Sequence, residues 1–176
     1  MKITVSCSKQ DGWGTHAVTL QSRTVEDPVL HTTLVGLRSA LIGEAPDADF
    51  VLTLDSVVSS PIAERFDTNG LVQVAWFRPH DVEEICAFDR RITARYTEFC
   101  SSIGEHYVGT FECAQLGGDV VAEVAWFDQH DFDEVDAVQS AVELPADVDA
   151  IITECRSMQR TDAPKYALDL TPHPAQ

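Results

Sequence analysis

The sequence has little positive charge and no long apolar segment. Of its 176 residues, 29 are acidic and 12 basic, the formal net charge is −17, and lysine occurs only at positions 2, 9 and 165. A nucleic-acid-binding surface needs clustered lysine and arginine to replace phosphate counterions, and the sequence contains no such cluster. Its apolar runs are a few residues long, whereas a membrane-spanning helix needs roughly 20. We therefore expect no nucleic-acid partner and no membrane span.

Several motifs of known chemistry are also missing. The five cysteines are odd in number and include no Cys-x-x-Cys pair, which argues against a secreted disulfide framework and a zinc knuckle. The sequence has no phosphate-cradling glycine loop and no nucleophile elbow. Its first residues alternate polar and apolar side chains, unlike the apolar block of a secretion signal. We expect a cytoplasmic protein with free thiols and with no metal or cofactor.

The acidic composition has two interpretations. A solvated acidic surface keeps a protein soluble or adapts it to high salt. The alternative is a dedicated cationic partner, which a net charge of −17 would attract. Composition alone favours the solvated surface.

A 50-residue internal repeat organises the chain. The segment from Val74 to Asp81, VAWFRPHD, recurs from Val124 to Asp131 as VAWFDQHD, with six of eight positions identical. Similarity at a fixed period is typical of duplicated supersecondary units. The sequence therefore predicts two related units.

Each unit is predicted to contain a β-hairpin. Alternation of apolar and polar residues identifies residues 107–113 and 120–127 as paired strands of the second unit, joined by a glycine-rich turn. In the first unit, residues 50–54 and 71–77 are predicted to pair across a longer loop. The hairpins are expected to correspond although their loops differ in length.

A helix is predicted after each hairpin. Asp81 and Asp131 each precede a glutamate by three residues, the spacing of a capping box that opens a helix. An apolar stripe with helical spacing follows Asp81 and should pack on the sheet; it comprises Ile85, Phe88, Ile92, Tyr96 and Phe99. In the second unit the helical region is predicted to break at Pro145 and to continue over residues 148–158.

A third, degenerate unit is predicted at the N-terminus. Its hairpin would be formed by residues 2–7 and 16–20, and its helix would cover residues 27–41. Strand, strand and helix repeated three times give an α+β protein with an antiparallel sheet and helices on one face. A ferredoxin-like order of elements fits between Ala17 and Cys113.

These elements define the predicted domain organisation. Residues 1–160 are predicted to form one α+β domain, with repeat units at about 50–105 and 106–158, and residues 161–176 a C-terminal tail. Within the tail, residues 165–170 alternate as an edge strand does. That strand would extend the sheet or exchange with a partner subunit.

The junction between strand and helix resembles that of the dimeric α+β barrel superfamily, particularly its antibiotic-biosynthesis-monooxygenase-like domains. In those domains a strand commonly ends in tryptophan and passes through a short polar link into an amphipathic helix, as do Val72 to Asp81 and Val121 to Asp131 here. The resemblance implies a homodimer with an apolar cavity between sheet and helices.

Members of the superfamily use such cavities for cofactor-free oxygenation of aromatic polyketides, for cyclisation or isomerisation, and in one branch for haem chemistry. Here the tryptophans lie four positions before the histidines, a spacing that does not match the haem branch. No catalytic residue is transferred by motif.

The repeated histidines are the candidate catalytic residues. His80 and His130 occupy equivalent junctions, and an imidazole titrates near neutral pH, so either could act as a general base toward a phenol or an α-carbonyl proton. Alternatively each simply precedes a helix cap and packs locally. A metal held jointly with Asp81 and Asp131 is conceivable, but both aspartates are already assigned to caps.

Other side chains could bind a substrate. The candidates for contacting an aromatic ring or orienting a polar group are Trp76, Phe77, Trp126, Phe127, Arg78, Arg95 and Tyr96. Large aromatic residues at strand ends more often belong to a core, and adjacent strand residues point to opposite faces. Exposed arginines in an acidic chain also serve to relieve charge repulsion.

Two function classes follow from these observations. The first is a small metabolic enzyme acting on an aromatic or polyketide-like molecule, as a cofactor-free oxygenase, cyclase or isomerase. The second is a non-catalytic small-molecule-binding or assembly module of the same fold. A cavity of roughly 300 Å³ or more lined by His80 or His130 would favour the enzyme, and a filled interior with both histidines in solvent would favour the module.

Overall fold

The structure, a computed structural model, describes the chain in six segments, residues 1–9, 16–20, 23–26, 50–66, 70–163 and 165–170, with side chains described at 1–5 and from 51 onward within these segments. The helix predicted at residues 27–41 lies outside the described residues. The protein is an α+β protein with a curled antiparallel sheet. None of the described helices is long and apolar enough to cross a membrane.

The described residues contain eight strands, which form one sheet in the order β3-β2-β1-β4-β6-β7-β5-β8. They are β1 (Lys2–Lys9), β2 (His16–Leu20), β3 (Arg23–Glu26), β4 (Phe50–Ser59), β5 (Leu71–Phe77), β6 (Glu105–Cys113), β7 (Val121–Phe127) and β8 (Tyr166–Leu170). Every neighbouring pair runs antiparallel. The predicted antiparallel sheet is therefore confirmed.

The described residues contain three α-helices, two of which follow the predicted capping signals. They are α1 (Val82–Ser102), α2 (Phe132–Ala141) and α3 (Ala146–Ser157). The carboxylates of Asp81 and Asp131 accept from the backbone N–H of Glu84 and Glu134, at 2.8 Å in both helices. The predicted caps are confirmed, as is the break at Pro145, which precedes the first turn of α3.

The pairing of the strands corrects one predicted hairpin. β6 pairs with β7 as predicted, but β4 pairs with β1 and β6 and not with β5. β5 instead pairs with β7, with Val74 directly opposite Val124. The two copies of the repeated motif therefore lie side by side and antiparallel, because their shared apolar pattern makes them complementary across one ladder.

The ferredoxin-like order predicted between Ala17 and Cys113 is not the one observed, because β2 adjoins β1 and β3 at the other end of the sheet from β5. From β5 to β8 the elements run strand, helix, strand, strand, helical region, strand, and their sheet order is β6-β7-β5-β8. The tail strand β8 pairs with β5 as an edge strand, which confirms the prediction for residues 165–170.

The sheet separates two apolar layers. On one face, residues of β1, β4, β5, β6, β7 and β8 form a single buried cluster around Trp76 and Phe111. On the other face, α1 and α3 cover Phe77 and Val121, and Val135 of α2 covers Phe127. The prediction that tryptophan and phenylalanine of each motif point to opposite faces is confirmed.

Bulges in two neighbouring strands exchange the faces of the residues beyond them. The β6–β7 register shifts between Tyr107 and Gly109, and the β4–β6 register shifts between Ser56 and Val58. Regular alternation would put Tyr107 and Phe111 on one face. With the bulge, Phe111 and Cys113 lie in the Trp76 cluster, whereas Tyr107 faces the helices. The predicted shared face of Tyr107, Phe111 and Cys113 is therefore wrong, because a bulge inserts one extra residue.

Candidate functional site

A cavity of about 180 Å³ lies between the helices and the sheet. Its walls come from α1, α3, β6 and β7, with residues just before β8 closing one side. The lining residues are Phe88, Asp89, Ile92, Tyr96, Tyr107, Glu123, Ile151, Ile152, Cys155, Arg156, Gln159 and Lys165. An apolar cavity of roughly 150 Å³ holds a benzene-sized molecule, so this volume suits one ring or an equally compact ligand.

Glu123 is the ionisable group of β7 that faces this cavity. In the alternating pattern of β7 its neighbours Ala122 and Val124 belong to the Trp76 cluster, so Glu123 points to the helix side. Burial, reinforced by the charges of Asp89 and Glu105, raises the pKa of Glu123 to about 8. Its carboxyl has no hydrogen-bond partner among the described residues. Near neutral pH such a group can either release or accept a proton.

Asp89 of α1 forms the second carboxyl of the cavity. Its side chain is 2% exposed, and its Oδ2 accepts a 2.7 Å hydrogen bond from the Thr110 hydroxyl. Burial raises the pKa of Asp89, and the Thr110 hydrogen bond opposes that rise. Asp89 interrupts the apolar stripe of α1 between Ile85 and Ile92, which makes it a buried acid on a core-facing stripe.

A hydrogen-bond chain connects Asp89 to an aromatic wall. The Tyr107 and Thr110 hydroxyls lie 2.7 Å apart. Since the Thr110 hydrogen is donated to Asp89, Tyr107 must be the donor to Thr110. The bulge in β6 makes this chain possible, because it places two residues three positions apart on the same face of the strand. Tyr107 also packs edge-on against Tyr96, with ring centroids 5.5 Å apart.

The internal repeat shows which residues occupy the positions equivalent to the two acids. At an offset of 50 residues, Gln73 is equivalent to Glu123 and Gln139 to Asp89. The amide of Gln73 donates to Asp169 and that of Gln139 to Glu105. The two strand-helix motifs thus share the same arrangement, and each carries a carboxyl at one of these two positions and a glutamine at the other.

The predicted catalytic histidines lie elsewhere. His80 is exposed, and its backbone N–H donates to the carbonyl of Met158. The His130 side chain is 91% exposed, and its Nδ1 lies 3.4 Å from a Glu134 carboxylate oxygen. Neither histidine lines the cavity. A catalytic role for either remains a prediction that the geometry of the cavity does not support.

The other predicted binding residues are divided between the core, the surface and the cavity. Among them, Tyr96 lines the cavity. Trp76 is 1% exposed and belongs to the cluster on the far face of the sheet, and Trp126 packs against that cluster. Phe77 and Phe127 are buried in the layer under the helices. Arg78 pairs with Asp119 at 3.0 Å and Arg95 with Asp147 at 2.6 Å. The two arginines therefore hold surface segments together.

Sequence reasoning missed Asp89, Glu123 and the tyrosine of β6. The signals were present: an aspartate within the apolar stripe of α1, and a glutamate on the inward side of a strand whose repeat partner is glutamine. The bulge that turns Tyr107 toward the helices had no comparable signal beyond Gly109.

Within the part of the chain that the structure describes, no three His, Cys, Asp or Glu side chains gather as a metal site requires. No protein family profile, curated protein or solved structure matches the chain. The candidate function therefore depends on the chemistry of the cavity.

Proposed function

We propose that this protein is a small cofactor-independent enzyme that moves a proton on a compact, mainly apolar substrate bound in the cavity, with Glu123 as the general acid–base. The observation that carries the proposal is a carboxyl on the inner strand β7 that faces the cavity between helices and sheet, where burial raises its pKa to about 8. Perturbed carboxyls in clefts are typical of catalytic sites. The proposal keeps the cyclase or isomerase class suggested by the sequence and replaces the histidine base by a carboxylate.

The reaction class is proton abstraction next to a carbonyl. Ionised Glu123 takes a proton from the carbon beside the carbonyl, and the electrons of the C–H bond move to the carbonyl oxygen to give an enolate. Protonated Glu123 then returns the proton to the same or a conjugated carbon, which completes an isomerisation without an oxidant. Arg156 and Lys165, the cationic side chains of the cavity wall, would stabilise the enolate oxygen.

The proposed substrate is smaller than a polyketide of several rings. A cavity of about 180 Å³ falls below the roughly 300 Å³ at which pockets for drug-sized ligands begin. Phe88 and Ile92 of α1 and Ile151 of α3 supply apolar contact for one ring. The aromatic substrate class suggested by the sequence is thus retained in its most compact form.

The proposed fold assignment is a ferredoxin-like unit spanning β5 to β8, with β1 to β4 extending its sheet, in a dimeric α+β barrel. The strand order β6-β7-β5-β8 supports it, and so does the pairing of Val74 with Val124, which places the repeated motifs about a local twofold axis. A homodimer remains part of this proposal, since the edge strand β8 offers a row of backbone groups for pairing.

The proposal is tested by hydrogen–deuterium exchange at carbon. One-ring ketones and enones are incubated with the protein in D₂O, and deuterium incorporation is followed by NMR. The variant Glu123→Gln is expected to lower the enzyme-dependent rate by about 100-fold or more, as loss of a general base does. The amide should fit, because Gln73 occupies the equivalent position of the other motif.

Two control variants accompany this assay. Glu112→Gln removes a carboxylate from an exposed position of β6 and should leave the rate unchanged. The double variant His80→Ala/His130→Ala should also keep the wild-type rate, because neither imidazole lines the cavity. Exchange that survives Glu123→Gln, or that is lost in the histidine variant, would refute the assignment of the base. Binding of these molecules without any exchange would favour the non-catalytic binding module.

A further inference from the structure

Several oxygen atoms of the cavity wall have no hydrogen-bond donor among the described residues, although Arg156 and Lys165 also line the cavity. Oδ2 of Asp89 is engaged by Thr110, while no described residue donates to its other oxygen or to the carboxyl of Glu123. Gln159 turns its amide nitrogen toward Cys155 at 3.8 Å, and its Oε1 is buried without a partner. Tyr107 donates its hydrogen to Thr110 and so presents only an acceptor. A buried acceptor without a donor, such as Gln159 Oε1, is costly.

The net negative charge of the chain also favours a cationic ligand. The chain carries a net charge of −17, and such a field concentrates cations at the protein surface. Beside the carboxyls lie the rings of Phe88, Tyr96 and Tyr107, whose faces attract cations. Desolvated carboxyls between aromatic rings are complementary to an organic ammonium ion.

Lys165 places one ammonium group in the wall of the same cavity. Its side chain lines the cavity just ahead of β8, and its ammonium charge lowers the pKa of Glu123, whereas Asp89 and Glu105 raise it. The Lys165 ammonium therefore favours the ionised form of Glu123. Arg156, on α3, is the other cation of the wall. Both cationic residues are exposed, so solvent screens their repulsion of a ligand bound deeper in the cavity.

We propose that the cavity recognises a primary ammonium group, so that the substrate class is a compact amine: one ring or its equivalent, bearing a protonated amine that donates to Asp89 and Glu123. An ammonium ion has three N–H donors, enough to serve both carboxyls. This inference rests on the proposed function, because it names the substrate of the same site. A bound ammonium ion would also hold Glu123 in the carboxylate form that a general base requires.

The test is isothermal titration calorimetry at pH 7 with three probes of one shape: benzylamine, benzyl alcohol and benzoate. Wild-type protein is expected to bind benzylamine roughly 10- to 100-fold more tightly than benzyl alcohol, the range of one charged hydrogen bond. Binding should release most of one proton, measured by repeating the titration in buffers of different ionisation heat, because Glu123 with a pKa of about 8 is mainly protonated at this pH.

Two variants locate the ammonium site. Asp89→Asn retains an acceptor for Thr110 but places an amide donor in the cavity, so it should abolish the preference for benzylamine. Asp136→Asn makes the same change at an exposed position of α2 and should keep it. Circular dichroism of each variant establishes that it is folded.

Several results would overturn the inference. They are binding of benzyl alcohol or benzoate as tight as or tighter than that of benzylamine, no heat of binding at millimolar benzylamine, or a preference for benzylamine that survives in Asp89→Asn. The proposed function is judged separately by exchange on neutral ketones. If Glu123→Gln loses that exchange while the amine preference is absent, only the ammonium inference falls. If neither effect is observed, both fall.

Discussion

Gly109 is the residue on which the geometry of the cavity depends most. It lies at the bulge of β6 with φ of +148°, a conformation that L side chains rarely adopt. A Cβ atom at this position would overlap the backbone carbonyl oxygen of Val58 on β4. Neither backbone can yield without disturbing the ladder between β4 and β6.

The substitution Gly109→Ala should therefore be strongly destabilising. A strained backbone conformation costs about 1–3 kcal/mol, and forcing an extra methyl group into a packed interior costs about 1–3 kcal/mol more. We expect the free energy of unfolding to fall by roughly 3–5 kcal/mol, a large part of the ~5–15 kcal/mol that stabilises a typical domain. The measurement is urea denaturation followed by circular dichroism and tryptophan fluorescence.

Gly118 provides the matched control. It lies in the turn before β7, and a Cβ there would meet no atom within 4 Å. Gly118→Ala should therefore change the unfolding free energy by no more than about 0.5 kcal/mol. If Gly109→Ala proved as stable as Gly118→Ala, the bulge would not depend on glycine, and the explanation for the position of Tyr107 would be refuted.

Two further predictions concern protonation and capping. Folded Glu123 keeps its proton up to about pH 8 but in the unfolded chain releases it near 4.5, so the folded state binds more protons between these values and wild-type stability falls as pH rises through this window. Glu123→Gln cannot titrate, so its free energy of unfolding should rise relative to that of the wild type by on the order of 4 kcal/mol between pH 5 and 9. Urea denaturation at each pH measures this difference. A difference that stays constant with pH would contradict burial of the carboxyl. Asp81→Ala and Asp131→Ala should each cost about 0.5–2 kcal/mol, whereas unchanged unfolding midpoints would show that their 2.8 Å cap bonds do not stabilise the helices.

Local chemistry made most of the secondary structure predictable. The capping aspartates, the apolar stripe of α1, the break at Pro145 and the alternation of the tail strand are each decided within a few residues of the chain. Strand pairing was less accessible, because β4 and β5 have equally suitable neighbours and only the complete sheet selects between them. The two strands that carry the repeated motif, β5 and β7, pair with each other. Their similarity alone does not show which strands of the sheet pair.

The candidate site was harder to predict than the fold for a physical reason. Histidine attracts attention because it titrates near neutral pH, but His80 and His130 precede helix caps at the surface and have ordinary solvated surroundings. The acid–base behaviour proposed for Glu123 depends on its burial beneath α1 and α3. That burial depends on contacts between elements far apart in the sequence. Asp89 was detectable as an acid on an apolar stripe, whereas the turn of Tyr107 toward it requires the bulge at Gly109.

Glu123 is expected to hold its proton at neutral pH, because burial between the sheet and the helices raises its pKa to about 8. Protein labelled with ¹³C at the glutamate side-chain carboxyls is titrated by NMR, and Glu123 is assigned from the resonance missing in Glu123→Gln. We expect its midpoint at about pH 8. A midpoint at its ordinary value of 4.5 would contradict the burial of this carboxyl and, with it, the acid–base role proposed for the cavity.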